Sequence, residues 1–230
     1  MFKKSNSKII HGKRLDPNKW INKMSHEPAF IIGNGPSLND VDTSLLHEFF
    51  TIGINRAFFK IDTTILMWQD ASLWYSERSR VIKTHAIKYC TPYSDPENRF
   101  YHFGVAAGMF GIPNDLTMLK GGGTTTPLAI QLAYMLGCNP IILLGCDCKC
   151  RNKDTDFYGK NKFHTANTMN QCKSGLLWIK EHIHDKGIRK IISCSDNDYF
   201  AKENLIEVLQ KMDVNNKRTR EEFNKILLGK

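Results

Sequence analysis

Six short apolar runs recur along the chain: "AFIIGNG" (29–35), "FFTIGIN" (49–55), "TTILMWQD" (63–70), "AIKYCTP" (86–92), "NPIILLGCD" (139–147) and "RKIISCSD" (189–196). Each is continuous rather than alternating, and most end in Gly, Asn, Asp or Pro. That is the pattern of strands in a parallel sheet covered on both faces. Helical spacing fills the intervals. "TTTPLAIQLAYMLGC" opens with threonines and a proline suited to a first turn, then places Leu128, Leu132 and Leu136 on one face. A second helix is predicted from about Thr168 to Lys186 and a third over "AKENLIEVLQKM" (201–212). Strand and helix alternate, which predicts an α/β, Rossmann-like three-layer sandwich with a mostly parallel sheet. In such sheets ligands lie at the carboxyl ends of the strands.

Two segments break the alternation. Residues 78–117, with "TPYSDPENRFYHFG", read as turns and short strands, a candidate flap over the site. Residues 149–167, "KCRNKDTDFYGKNKFHTAN", are polar, spotted with aromatics and too long for an ordinary connection, which predicts a lid-like insertion. The chain divides into a basic N-terminal extension (1–28), a nucleotide-binding domain (29–211) and a basic C-terminal tail (212–230).

Charge narrows the partners. Lys and Arg number 32 against 23 acidic residues, a formal +9, which favours phosphates, nucleic acid or an anionic membrane surface. The same surplus also fits a solvated basic surface, since much of it sits near the two ends. No apolar run approaches the ~20 residues of a membrane span, and the first residues lack a signal-peptide core, so a cytoplasmic protein, peripheral at a membrane at most, is expected. The seven cysteines lie mostly in or beside apolar runs, the pattern of reduced core thiols. "CDCKC" lacks the second pair that a zinc site needs, and no metal ligand set is assigned.

The chemistry gathers at strand ends. After "AFII", Gly33 and Gly35 permit positive φ or close backbone approach, while Asn34 and Ser37 offer polar groups. The third glycine of a dinucleotide fingerprint is replaced by Leu38. The next two strands end at Asn55 and at Asp70. "GGGTTTP" places Gly123 before a helix start carrying Thr124 and Thr125, where free N–H groups suit an anion; simple N-capping explains the threonines equally well. It is not a P-loop, because no Gly-Lys-Ser/Thr follows. Asp147 closes the fifth run. In the polar segment, Tyr158 and His164 stand out, and His164 is the residue suited to take a proton near neutral pH.

Taken together, "GNGPSL", Asn55, "GGGTTTP", "LLGCDC", Tyr158 and "HTANT" (164–168) resemble the bacterial lipooligosaccharide sialyltransferases and the related family named for archaeal 6-hydroxymethylpterin diphosphokinases. The resemblance runs from about Ala29 to Leu209. It implies that Asn34, Asn55 and Thr125 contact a nucleotide-activated sugar, that Tyr158 stabilises the leaving phosphate, and that His164 activates an acceptor hydroxyl on a glycan. Those sialyltransferases use CMP-sialic acid without an essential metal, so no cofactor is expected on this branch. The chain departs from their pattern in having one clear tyrosine rather than a pair, and Asp70 where an asparagine is expected. The leading expectation is a glycosyltransferase. A diphosphokinase using ATP would need Mg2+ held by carboxylates such as Asp70 or Asp147. A third expectation, from a different class, is a non-catalytic nucleotide- or nucleic-acid-binding domain. A homo-oligomer is compatible with all three.

Overall fold

The computed structural model describes residues 16–106, 110–121, 123–161, 164–212 and 214–229. Residues 1–15 of the expected basic extension, Gly122 of the glycine run and residues 162–163 of the polar segment lie outside that set. The six apolar runs form β1 (Ala29–Ile32), β2 (Thr51–Ile54), β3 (Ile65–Trp68), β4 (Ile87–Cys90), β8 (Ile141–Leu144) and β9 (Ile191–Ser193). With the two-residue β5 (Tyr101–His102) they make a seven-stranded parallel sheet in the order β5-β4-β3-β2-β1-β8-β9. A separate parallel pair joins β6 (Gly104–Ala106) to β7 (Met118–Lys120). The chain therefore builds outward from β1 on one side, then crosses back to lay β8 and β9 on the other. The switch point falls between β1 and β8.

Both faces of the sheet are buried, which is why the strands read as continuous apolar runs. Ile31, Ile141 and Leu143 face one core together with α2 (Thr125–Met135) and α3 (Ala166–Ile179). Phe30, Ile32, Ile142 and Leu144 face the other, with Leu38, Phe49 and Val208. α2 is apolar nearly all round because it is enclosed: Leu128, Leu132 and Leu136 are fully buried, and buried Gln131 bonds the backbone N–H and C=O of Lys120. Gly137, at φ +88°, follows its end.

The structure revises several expectations. Residues 87–102 extend the main sheet through β4 and β5, so this part of the expected flap is core structure. α1 (Ala71–Lys83) was not anticipated; it buries only Leu73, Trp74 and Val81, too few to mark a period. The second helix ends earlier, at Ile179, and continues as a π-helical turn over Lys180–His184. The third shrinks to α4 (Leu205–Gln210), because residues 201–203 run extended beside Ser193 and Asn204 then caps the helix at Ile206 N–H. Both flanking segments enter the core where they are described. Trp20 packs on Tyr101 and Tyr89, and α5 (Arg220–Leu228) buries Phe223 against Phe50. Cys148 turns out of β8 at φ +51° and pairs with Cys172 of α3 in a disulfide, correcting the expectation of reduced thiols for these two.

Candidate active site

One cavity opens at the carboxyl ends of β1, β2, β3 and β8, between the start of α2 and the polar segment before α3. Its floor is the switch point. Gly33 donates its N–H to Leu144 O and Gly35 to Gly145 O, both at 2.7 Å. Neither has positive φ, so of the two reasons for glycine it is close approach that applies: a Cβ on Gly33 would lie 2.2 Å from Gly145 O, and one on Gly35 2.5 Å from the Asp147 carboxylate. The positive φ belongs to the partner, Gly145, at +60°.

Asp147 and Ser37 are tied to each other. The Ser37 N–H and hydroxyl donate to the Asp147 carboxylate at 2.8 and 2.5 Å, and Asp196 N–H adds a third bond at 3.1 Å. They lock the β1 and β8 loops together; Asp147 reaches the cavity wall, and Ser37 lies behind it.

Four polar side chains on the walls are different. Asn34 donates from Nδ2 to Ile54 O at 2.9 Å, which aims the amide, but its Oδ1 is buried without a partner. The same holds for Asn55 Oδ1, whose residue sits at φ +51°, and for Thr124 Oγ1 and Thr125 Oγ1 at the start of α2. Thr124 is the N-cap residue, yet its side chain makes no capping bond, so capping does not explain these threonines. Each such buried group costs about 1–3 kcal/mol unless something bonds it. Gly123, at φ +76°, places its carbonyl to accept from Gln69 Nε2 at 3.1 Å, and the helix start is held over the sheet.

The polar segment closes the other wall. It is tacked to the β1 loop by Phe157 N–H to Asn34 O at 2.7 Å and by Asn39 Nδ2 to Phe157 O at 2.9 Å. Tyr158 lies against Phe59, its hydroxyl accepts from Asn161 Nδ2 at 3.2 Å, and the Arg56 guanidinium sits 5.7 Å from its ring centre. Burial pushes the Tyr158 phenol up, with Asp156 adding to that and Arg56 opposing it, so the hydroxyl stays protonated and able to donate. Among the described residues lining the cavity Arg56 is the one permanent cation; the basic surplus lies elsewhere.

His164 immediately precedes α3. Thr165 and Thr168 form a reciprocal capping box there, so "HTANT" fixes the helix start and with it the imidazole. Its Nδ1 lies 3.0 Å from Oδ2 of Asp156, in contact but not aligned as a hydrogen bond. Asp156 is 1% exposed and also accepts from Thr155 Oγ1 at 2.9 Å. Sequence reasoning missed this carboxylate. Its position two residues before Tyr158 in a charged segment carried no signal of burial.

Asp70 shares the cavity. It reaches solvent through the opening, yet the surrounding walls push its carboxyl above the ordinary range, an effect partly offset by the nearby charge of His164. The native state thus holds this proton more tightly than the unfolded chain, and stability falls as pH rises through the window above the usual carboxylate pKa of about 3.9. Asp70→Asn is expected to melt higher than the wild type at about pH 7, with the gain shrinking as pH is lowered toward about 4. Melting curves across that range check it; a constant offset at every pH would contradict the assignment.

Mg2+ shared by Asp70 and Asp147 does not fit these residues. The Asp147 oxygens are taken by three donors from Ser37 and Asp196, whereas Asp156, whose Oδ2 accepts from Thr155, keeps its Oδ1 buried without a hydrogen-bond partner.

No protein-family profile matches the chain, and no curated protein matches it by sequence. Among solved structures, the MAf glycosyltransferase from Magnetospirillum magneticum AMB-1 superposes with a TM-score of 0.60 at 19% identity, over 92% of this chain and 40% of that one. The sialyltransferase CstII from Campylobacter jejuni, solved with cytidine-5'-monophosphate, gives a TM-score of 0.49 at 16% identity, over 77% of this chain and 86% of that one. A mammalian sialyltransferase gives 0.38 at 10% identity, over 72% and 69% of the two chains. At these values the last two carry no argument, and the first is a likeness of fold over less than half of the larger protein. The chain shares its α/β architecture with a structurally characterised glycosyltransferase.

Proposed function

We propose that the protein is a glycosyltransferase that moves a sugar from a nucleotide-activated donor to an acceptor hydroxyl, with His164 as general base and no metal requirement. The observation that carries this reading is the convergence of four buried, unbonded acceptor or hydroxyl groups, on Asn34, Asn55, Thr124 and Thr125, with a His–Asp pair in one cavity at the sheet's switch point. A nucleoside offers the hydroxyl and amino donors that Asn34 and Asn55 lack. A phosphate suits the threonine hydroxyls and the free N–H groups of the α2 start.

In this reading the donor's phosphate lies between the α2 N-terminus and Tyr158. The acceptor hydroxyl approaches the anomeric carbon from the side of His164, whose second ring nitrogen takes the proton as the new bond forms. Charge developing on the departing nucleotide is met by the helix start, the Tyr158 hydroxyl and Arg56. The displacement inverts the anomeric centre. A sialic acid attached to CMP is the donor favoured by the resemblance of "GNGPSL" and "HTANT" to the bacterial sialyltransferases. The diphosphokinase reading is weakened because Asp147, one of the two carboxylates named for its metal, is already engaged.

A melting screen with CMP-, UDP- and GDP-sugars and with ATP, with and without a chelator, tests the proposal. A ligand at about a hundred times its Kd raises stability by roughly 2.7 kcal/mol, and the same donor should be turned over in the chelator's presence. A stabilising response to ATP alone, with turnover abolished by the chelator, would favour the kinase instead; no response to any nucleotide would remove both.

A further inference from the structure

Away from the cavity, at the outer edge of the sheet, Cys90, Asp95 and His102 bring a thiol, a carboxylate and an imidazole together, all ligand atoms within 4.8 Å of one another. We propose that these three residues form a zinc site that fastens the edge of the sheet.

The backbone places two of the ligands. Cys90 ends β4 and His102 ends β5, and they are direct partners in the parallel register, so both side chains leave the same face at the same height. The chain between them turns through Pro92–Ser94 and delivers Asp95, whose Oδ2 is held by the N–H groups of Arg99 and Phe100 at 2.6 and 2.8 Å. His102 Nε2 lies 2.9 Å from the same oxygen. Backbone donors behind a carboxylate are the usual support of a metal ligand, fixing its orientation before the ion arrives.

The donor set selects the metal. A sulfur, a nitrogen and an oxygen suit zinc, whereas magnesium and calcium take oxygen alone. Bonds of about 2.0–2.3 Å in a tetrahedron require the side chains to draw in by roughly an ångström at the widest separation. Cys90 and Asp95 are buried, and His102 is 18% exposed, so the open side of the cluster lies at the imidazole, where a water completes four-coordination. Binding releases the Cys90 thiol proton to solvent, the neutral His102 imidazole offers Nε2 to the metal and carries its proton on Nδ1, and nothing is oxidised or reduced.

The fold gives such a fastening a purpose. β5 has only two paired residues, and the turn before it carries Thr91 and Ser94, whose hydroxyls both donate to Gln69 O at 2.7 and 2.6 Å. Gln69 in turn reaches Gly123 at the cavity wall. A metal at this edge would stiffen that line of contacts without touching the donor.

The test uses the purified full chain without reductant. After dialysis against metal-free buffer, zinc content is measured, and cobalt(II) is titrated into chelator-stripped protein while thiolate-to-cobalt absorption is followed. The expected result is about one equivalent bound per chain, with the absorption retained in Cys150→Ser and Cys194→Ser and lost in Cys90→Ser, and a drop of at least tenfold in affinity for His102→Gln. Absence of both zinc and the cobalt–thiolate band in the wild type would overturn the site, as would equal binding by Cys90→Ser. Should Cys90→Ser fail to fold, the wild-type band and His102→Gln decide alone.

Discussion

Alanine at position 164 is expected to lower glycosyl transfer by roughly 10²–10⁴-fold, the usual worth of a general base, while the donor's dissociation constant moves by no more than a few-fold. The imidazole sits at the rim of the cavity ahead of the α3 cap, and the groups that would hold the nucleotide, Asn34, Asn55, Thr124 and Thr125, lie on other elements. Donor affinity is measured by calorimetry on the variant and turnover by nucleotide release, and added imidazole should restore part of the lost rate. Asp156→Asn is the companion experiment. The carboxylate acts through His164, 3.0 Å away, so its loss should lower kcat at least roughly tenfold and leave the donor KM unchanged. Equal losses in binding and turnover for His164→Ala would show that the residue holds the donor and does not act as base.

Opening the disulfide should have the largest effect on stability. Cys148 and Cys172 are 24 positions apart, and every lid residue of the site, from Thr155 through Tyr158 to His164, lies inside the loop they close. A cross-link over a loop of this length constrains the unfolded chain by about 3 kcal/mol, and for a protein of this size each kcal/mol moves the melting point by about 2–4 °C. Reduction is therefore expected to lower Tm by roughly 6–12 °C. Donor KM should rise as well, because the wall carrying Tyr158 and His164 loses the covalent tie between its two ends. A Cys148→Ser, Cys172→Ser protein should reproduce both changes without reductant and respond no further to it. A wild-type chain whose Tm and KM ignore a dithiol reductant would remove the cross-link from this account.

The sheet was readable because its strands are buried on both faces, so burial shows directly as uninterrupted apolar runs. Strand-end residues were readable for the same reason: Asn34, Asn55 and Asp70 follow those runs and do line the cavity. What lies beyond required contacts between distant parts of the chain. Gly33 and Gly35 are glycines because Gly145 and Asp147 press on them, and Ser37 satisfies an acid 110 positions away. α1 escaped notice because its buried residues fall near its ends, without period. α5 carried legible signs, a Thr219–Glu222 capping box and Phe223 with Leu227 one turn apart, submerged in a run of charge.

The strand order also bears on how this chain behaves among its copies. Its outermost strands, β5 and β9, have two and three residues, so the sheet offers a neighbouring molecule very little unpaired backbone on which to add a strand. The longer apolar strands that invite such pairing, β1, β8 and β4, are all flanked on both sides. Brevity at the rim is one way natural sheets resist edge-to-edge aggregation, and lengthening β5 or β9 with β-branched residues is the change that would surrender that protection.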